Sequence, residues 1–253
     1  MTMTSEVGAS QTVRPYLIVT GAQQFIDFVE QAFGATRVVS VARPEDYEKI
    51  MHAELRIGDS TIEVADSFGD IAPRPHELHL YVDDADVTYA RAVAAGARTL
   101  HAPVDQPYGD REAGVADPFG NYWYIATHGA EIRPAGFGTV TPFFHARRAA
   151  ELIDFLKTVF GAREESRHAE GDRVMHAVLF VGESPIEIAS AHDQWQPMPG
   201  AMHVFVDDPD AAYQRAIAAG AESLFEPADQ PYGQRVGGVA DREGNFWYAA
   251  KNL

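Results

Sequence analysis

"DQPYGDREAGVADPFGNYWYIA", residues 105–126, returns 124 positions later as "DQPYGQRVGGVADREGNFWYAA", residues 229–250. Fifteen of the 22 positions are identical, where typical residue frequencies would give about one or two. The repetition extends outward over nearly the whole chain. "RPYLIVTGAQQFIDFVEQAFGA" (14–35) aligns with "TPFFHARRAAELIDFLKTVFGA" (141–162), "MHAELRIGDSTIEVADS" (51–67) with "MHAVLFVGESPIEIASA" (175–191), and "LHLYVDDADVTYARAVAAGA" (78–97) with "MHVFVDDPDAAYQRAIAAGA" (202–221). The second copy is three residues shorter between its first helix and "MHA". Such a length change is expected in a hairpin loop, where insertions cost least.

Each copy is itself bipartite. A strand (16–19) leads into a helix with Phe25, Ile26, Phe28, Val29, Ala32 and Phe33 at helical spacing, stopped by Gly34. Strands at 38–42, 51–57 and 60–65 follow, the last two joined across Gly58-Asp59. The second half repeats the order: strand 78–82, a helix capped near Asp84 and ended by Gly96, then strands near 98–101, 113–116 and 121–126. In the other copy, Asp208-Pro209 is an N-cap followed by proline at the first helical position. The unit is strand–helix–three strands, and the chain holds four. The expected division is a disordered tail over 1–13, a first domain over 14–128, a linker over 129–140 and a second domain over 141–253.

The bulk composition narrows the partners. There are 37 acidic and 20 basic residues, a net charge of −17, which repels phosphate backbones and anionic membranes. Neither nucleic acid nor membrane is expected as a partner. Cysteine is absent, excluding disulfides, thiolate metal sites and a cysteine nucleophile. The polar "MTMTSEVGASQT" is no signal peptide, and no apolar run approaches the roughly 18 residues that span a bilayer. A cytoplasmic protein is the expectation.

Four such units, with "FGA" closing a helix, "MHAEL" opening a hairpin and "YGDR…DPFGNYW" closing a copy, resemble the vicinal oxygen chelate superfamily. This is the glyoxalase, bleomycin-resistance and ring-cleaving dioxygenase group, and the likeness is strongest to its PhnB-like branch. The resemblance implies an α+β fold: tandem glyoxalase/bleomycin-resistance-type domains whose βαβββ units form curved mixed sheets, helices outside, with a ligand in the concavity. It also implies two fused copies of a domain that elsewhere works as a dimer, hence an intramolecular pseudo-dimer, with a monomeric chain compatible with that reading. Function does not follow from such a fold, which serves lyases, isomerases, dioxygenases and drug-sequestering proteins.

Strand alternation assigns faces. On 51–57, Met51, Ala53, Leu55 and Ile57 share the core side, with His52, Glu54 and Arg56 facing the cup. Glu63, His79, Tyr81 and Tyr124 face inward likewise, and the second copy offers Phe143, His145, His176, Glu187, His203, Phe205 and Tyr248. The resemblance implies metal ligands from the first and last strand of each unit. Those places hold Arg14 or Tyr16, Thr141 or Phe143, Glu77 in one copy against Ala201 in the other, and Tyr124 and Tyr248 where glutamate would be needed; Glu63 and Glu187 fit, but each copy lacks the usual set. No cofactor is therefore expected, with a divalent metal as the alternative on a rebuilt set of His145, His176, Glu187 and His203.

The function expected is binding of a small organic molecule by a superfamily protein without the usual metal site. The alternative is a lyase, isomerase or dioxygenase with the rebuilt metal site, or metal-free acid–base catalysis by His176, Tyr248, His52 and Tyr124. Tyr16, Glu63, His79, Tyr81, Phe143, Glu187, His203 and Phe205 are the candidate ligand-binding residues. Arg111 and Arg235 are candidate clamps on an anionic group, the competing reading being ion pairs with Asp117 and Asp241. The two cups are expected to be unequal, through differences such as Ile18 against His145 and Glu54 against Val178.

Overall fold

The structure, a computed structural model, describes residues 11–43, 46–129, 131, 133–193 and 195–253. The first copy runs β1 (Val13–Val19), α1 (Ala22–Phe33), β2 (Thr36–Arg43), β3 (Asp46–Ile57), β4 (Ser60–Asp66), β5 (Glu77–Tyr81), α2 (Ala85–Ala94), β6 (Arg98–Asp105), β7 (Asp110–Ala116) and β8 (Tyr122–His128). The second runs β9 (Val140–Ala146), α3 (Ala149–Phe160), β10 (Arg163–Glu170), β11 (Arg173–Val181), β12 (Ser184–Ser190), β13 (Ala201–Phe205), α4 (Pro209–Ala218), β14 (Glu222–Gln230), β15 (Gln234–Ala240) and β16 (Phe246–Asn252). Four βαβββ units follow one another, as the repeats predict.

The helix ends follow local chemistry. Gly34 closes α1 at φ 70°, a left-handed position that glycine adopts without a Cβ penalty. Asp84 and Asp208 cap α2 and α4 through the backbone N–H of Val87 and Ala211. No side chain of its own caps α1; instead Asp66 accepts from Gly21 and Ala22 at 2.9 and 3.1 Å, while its other oxygen accepts from Ile50 N at 2.7 Å.

That last bond corrects one face assignment. Ladder register slips beside it, between Val41 and Ala42, so Ile50 enters the core at 6% exposure while Met51 is 41% exposed. Its counterpart Met175 lines the second cavity instead of the core. The three-residue length difference appears as a 12-residue β3 against a nine-residue β11; the expected hairpin tip at 44–45 lies outside the described residues.

The sheets cross the copies. One has the order β14-β15-β16-β13-β1-β4-β3-β2 and the other β10-β11-β12-β9-β5-β8-β7-β6. The joins are antiparallel, with Arg14 opposite His203 in β1–β13 and Glu77 opposite Phe143 in β5–β9. The first concavity is therefore built by the first and fourth units, and the second by the two middle units. Hydrophobic cores divide differently: Leu17, Phe25, Ile26, Leu55, Leu78, Leu80 and Trp123 form one cluster, and Phe144, Leu156, Leu179, Ile188 and Trp247 belong to another. Each sequence copy supplies most of one core and half of each sheet.

Further ties hold the copies together. Val140 N donates to Ser60 Oγ at 2.9 Å and Val13 N to Ser184 Oγ at 3.0 Å, so the start of each copy docks on the other's hairpin. Gln11 pairs with the backbone of Thr61 and Thr12 N with Ser184. Residues 11–13 are thus bonded into the fold, correcting the expected tail boundary; residues 1–10 lie outside the described set. Where the chains cross, Ala201 N donates to His76 Nε2 at 3.1 Å. Burial pushes that imidazole down to about 4, keeping it neutral. Gly200 makes room, since a Cβ there would fall 2.8 Å from the His76 ring.

A chain cut inside the linker should show this division of labour. A fragment ending at residue 134 keeps most of its own core but leaves β1 and β5 without their cross-copy partners β13 and β9, and bare strand edges pair with whatever fits. The expected result is a self-associated dimer by light scattering. A monomeric fragment with cooperative unfolding would contradict the cross-copy pairing.

Candidate functional site

In the second concavity, β5 supplies Glu77, His79 and Tyr81, and β8 supplies Tyr124. Across the copy join, β9 contributes Phe143 and His145, β11 His176 and β12 Glu187. All of these but Glu77 line a cavity of about 1010 Å³, at the upper end of ordinary ligand sites. Phe137 from the linker and Trp195 from the β12–β13 connection form further walls. Tyr124 meets Phe143 at 5.8 Å and Trp195 at 5.7 Å edge-on, and His145 stacks on Trp195 at 5.4 Å with 13° between planes.

The floor alternates carboxylates with imidazoles. Glu187 Oε1 lies 3.0 Å from His176 Nε2, and Oε2 3.0 Å from His79 Nδ1. His79 Nε2 is 3.4 Å from Glu112, within ion-pair range but without hydrogen-bond alignment. Glu112 also accepts from Tyr108 at 3.2 Å and lies 3.5 Å from His101. Burial alone would lower the His79 pKa, but the Glu187 charge and hydrogen bond, with the Glu112 carboxylate close by, outweigh it and raise it to about 10. Burial likewise pushes against ionisation of Glu187 and Glu112, and the imidazoles outweigh it, taking both to about 2. Between them the three groups stay ionised at neutral pH.

A separate pair, Glu77 and His145, is joined at 2.5 Å between Oε2 and Nδ1. Burial raises the Glu77 pKa against the pull of His145. Burial and the nearby Glu77 charge also raise the Tyr124 pKa, so its phenol stays protonated. That hydroxyl is buried without a hydrogen-bond partner.

In the first concavity, Tyr16 meets His52 at 5.9 Å and Tyr248 at 5.8 Å. His203 bonds Glu63 at 2.9 Å and stacks on Phe205 at 4.7 Å. Arg14 reaches Glu63 and Glu54 at 3.3 and 3.4 Å and lies 4.8 Å over the Phe205 ring. Burial pushes the Tyr248 phenol up to about 12.

The candidate residues thus regroup. His176, Tyr124 and Phe143 meet in one cup, and His52, Tyr248 and Tyr16 in the other, each trio drawn from both copies. The inward residues of one copy therefore do not share one cup. The fallback metal set is divided too: His145, His176 and Glu187 line the second cup, whereas His203 stands in the first, because β13 pairs with β1 and not with β9.

Arg111 and Arg235 are corrected on both readings. Each lies on the helix side of its strand. Arg111 grips Asp86 through two bonds of 2.5 and 2.8 Å and Asp105 at 3.0 Å; Arg235 holds Asp210 and Asp229 in the same way. Asp117 and Asp241 are already committed elsewhere. Asp117 accepts from Phe119 N, Asn121 N, Asn121 Nδ2 and Trp123 Nε1 at 2.8 to 3.0 Å, and Asp241 repeats the pattern with Glu243, Asn245 and Trp247.

Sequence reasoning passed over Glu112, Trp195 and Phe137. Alternation on 110–116 places Glu112 opposite the core residues Ala113 and Val115 and could have found it. Trp195 and Phe137 sit in connections with no period to read.

The residues present do not suit the divalent metal common in the superfamily. Both Glu187 oxygens face imidazole nitrogens, Glu77 faces His145, and a guanidinium lies beside Glu63. These donors face one another instead of converging on a shared point. Among the described residues no group of three or more His, Asp or Glu side chains is arranged to hold a metal ion.

Comparison with known proteins agrees with this architecture. An uncharacterized protein of Mycobacterium tuberculosis is 33% identical over 140 residues, 51% of this chain and 81% of that one. A putative glyoxylase of Mycobacterium bovis, CFP32, is 27% identical over 68% of each chain. The anthracycline biosynthesis protein DnrV of Streptomyces peucetius is 29% identical over 63% of this chain and 59% of its own. Glyoxalase I from Zea mays superposes with a TM-score of 0.70 at 14% identity, covering 95% of this chain and 92% of that chain, a likeness of fold. Among the described residues no helix is long and apolar enough to cross a membrane. The model of the glyoxalase/bleomycin resistance protein/dioxygenase superfamily matches residues 10–125 and 144–248, and the chain belongs to that superfamily.

Proposed function

We propose that the protein binds a flat, largely aromatic organic molecule in the second cavity, one per chain. The observation that carries this reading is Tyr124, which lines an aromatic-walled space of about 1010 Å³ and whose hydroxyl is buried without a hydrogen-bond partner. Burying a polar group unpaired is costly, and a guest with a carbonyl or hydroxyl would relieve it. Trp195, Phe143 and Tyr124 offer edges and faces for stacking. The relationship to a protein named for anthracycline biosynthesis supports a polycyclic aromatic guest. The first cup carries the paired Arg14 and Glu54 where the second has the neutral Thr141 and Val178, which favours one dominant site over two equal ones.

Calorimetric titration with two- to four-ring hydroxyketones and quinones tests the proposal. The expected result is saturation at one equivalent, weakened about tenfold or more by Tyr124→Phe, in line with roughly 1–3 kcal/mol for an unmet buried hydrogen bond. Affinity untouched by Tyr124→Phe and Trp195→Ala, or equal binding in both cups, would count against it.

A further inference from the structure

We propose that this cavity also catalyses metal-free proton transfer at a carbon next to a carbonyl of its guest, with His145 as the base and Tyr124 as the donor to the developing oxyanion. Glu77 positions His145. The proposal rests on the binding reading above and adds a reaction to it.

The pair exists only in the second cup. Glu77 comes from the first copy and His145 from the second, and the β5–β9 join brings them to 2.5 Å. Their repeat counterparts are Ala201 and Ile18, so the other cup has neither a base nor a carboxylate there. Glu77 is 2% exposed and has no other side-chain partner among the described residues. A buried carboxylate on Nδ1 fixes the ring's orientation and leaves Nε2 as the nitrogen available to a substrate. That nitrogen has no hydrogen-bond partner among the described residues, and His145 lines the cavity. Trp195 stacks on the ring and holds its plane.

Tyr124 completes the arrangement. Trp195 and Phe143 each touch both His145 and Tyr124, at ring separations of 4.6 to 5.8 Å, so the imidazole and the phenol border one aromatic cluster in the cavity lining. A protonated, desolvated phenol without a partner is preorganised to donate to an oxygen that gains charge. His176 is a weaker candidate for the base: its side chain is 44% exposed, and its carboxylate partner Glu187 is shared with His79.

The step balances without a co-reactant. His145 Nε2 takes the α-proton, the C–H electron pair becomes the enolate C=C, and the carbonyl π pair moves onto oxygen, to which the Tyr124 O–H donates a hydrogen bond. The proton then returns to the same carbon, giving exchange with solvent, or to the far carbon of a conjugated system, moving a double bond.

The test uses the whole chain, treated with EDTA, and 2-tetralone, a bicyclic ketone with acidic protons at C1. Proton NMR in D2O follows C1 exchange, and tryptophan fluorescence follows binding. Exchange above the buffer rate is expected, falling about 10²-fold or more in His145→Gln with Kd within about threefold of the parent chain. Glu77→Gln should lower the exchange rate about tenfold and leave Kd alone, a split that a purely structural role would not produce. It carries the test should His145→Gln fail to fold. Saturable binding with exchange no faster in the parent chain than in the variants would overturn the proton transfer and leave the binding reading standing. Exchange that needs a restored divalent metal would overturn it too. No saturable binding at millimolar 2-tetralone would overturn both.

Discussion

Asp117→Ala is expected to destabilise the chain by about 3–5 kcal/mol, lowering its Tm by roughly 10 °C. The Asp117 carboxylate is 5% exposed and accepts four hydrogen bonds, two from backbone N–H groups and one each from the side chains of Asn121 and Trp123. Alanine removes the acceptor and leaves all four donors. Trp123 and Asn121 are both fully buried, so water cannot take its place. The loss would propagate, because Asn121 Oδ1 accepts from His76 N at 2.9 Å and so anchors the segment that crosses between sheets. Asp241→Ala removes the matching network around Asn245 and Trp247 and should cost the same within about 1 kcal/mol. Urea denaturation followed by fluorescence measures both. A change below about 1 kcal/mol in either variant would show that the network is dispensable.

The turn within the stretch that appears twice is therefore a folding device, while Glu112 and Tyr124 from the same stretch line the cavity. Its aspartate, asparagine and tryptophan are spent on one turn, and its arginine fastens a strand to the first turn of a helix. This explains why the fold was legible. Repeated glycines, caps and apolar spacing report local geometry, and each unit carries its own copy of them. Cross-copy pairing was not legible, because Arg14 and Thr141 face a β13 or β5 partner of the same character whichever copy provides it. The site suffered accordingly. Alternation placed Glu63, His79, Tyr124 and Glu187 on the concave side, yet which of them share a cup depends on sheet joins between strands far apart in sequence, which leave no local signal. Glu77 was visible only as an unmatched position, since its meaning lies in His145, which the other copy supplies.

The joined cup makes a charge-dependent prediction. Glu187→Gln keeps the side chain's size but leaves His79, with a side chain 9% exposed, facing Glu112 alone and His176 without its carboxylate. Removing one partner of a buried ion pair is strongly unfavourable, and about 3 kcal/mol is expected with Glu112 still in place. The loss should depend on pH in both directions. Glu187 has a folded pKa depressed to about 2, so its contribution is present above the unfolded value of about 4.3 and is lost as pH falls towards 2. His79 has a folded pKa raised to about 10, so its contribution is complete below the unfolded value of about 6.5 and is lost as pH rises towards 10. The gap between parent and variant should be widest from about pH 4.5 to 6.5 and narrow on either side. Urea midpoints at pH 3, 5.5 and 9.5 measure it. A gap that stays constant across all three would mean that Glu187 acts through neutral hydrogen bonds, and the carboxylate–imidazolium–carboxylate floor of the cavity would have to be abandoned.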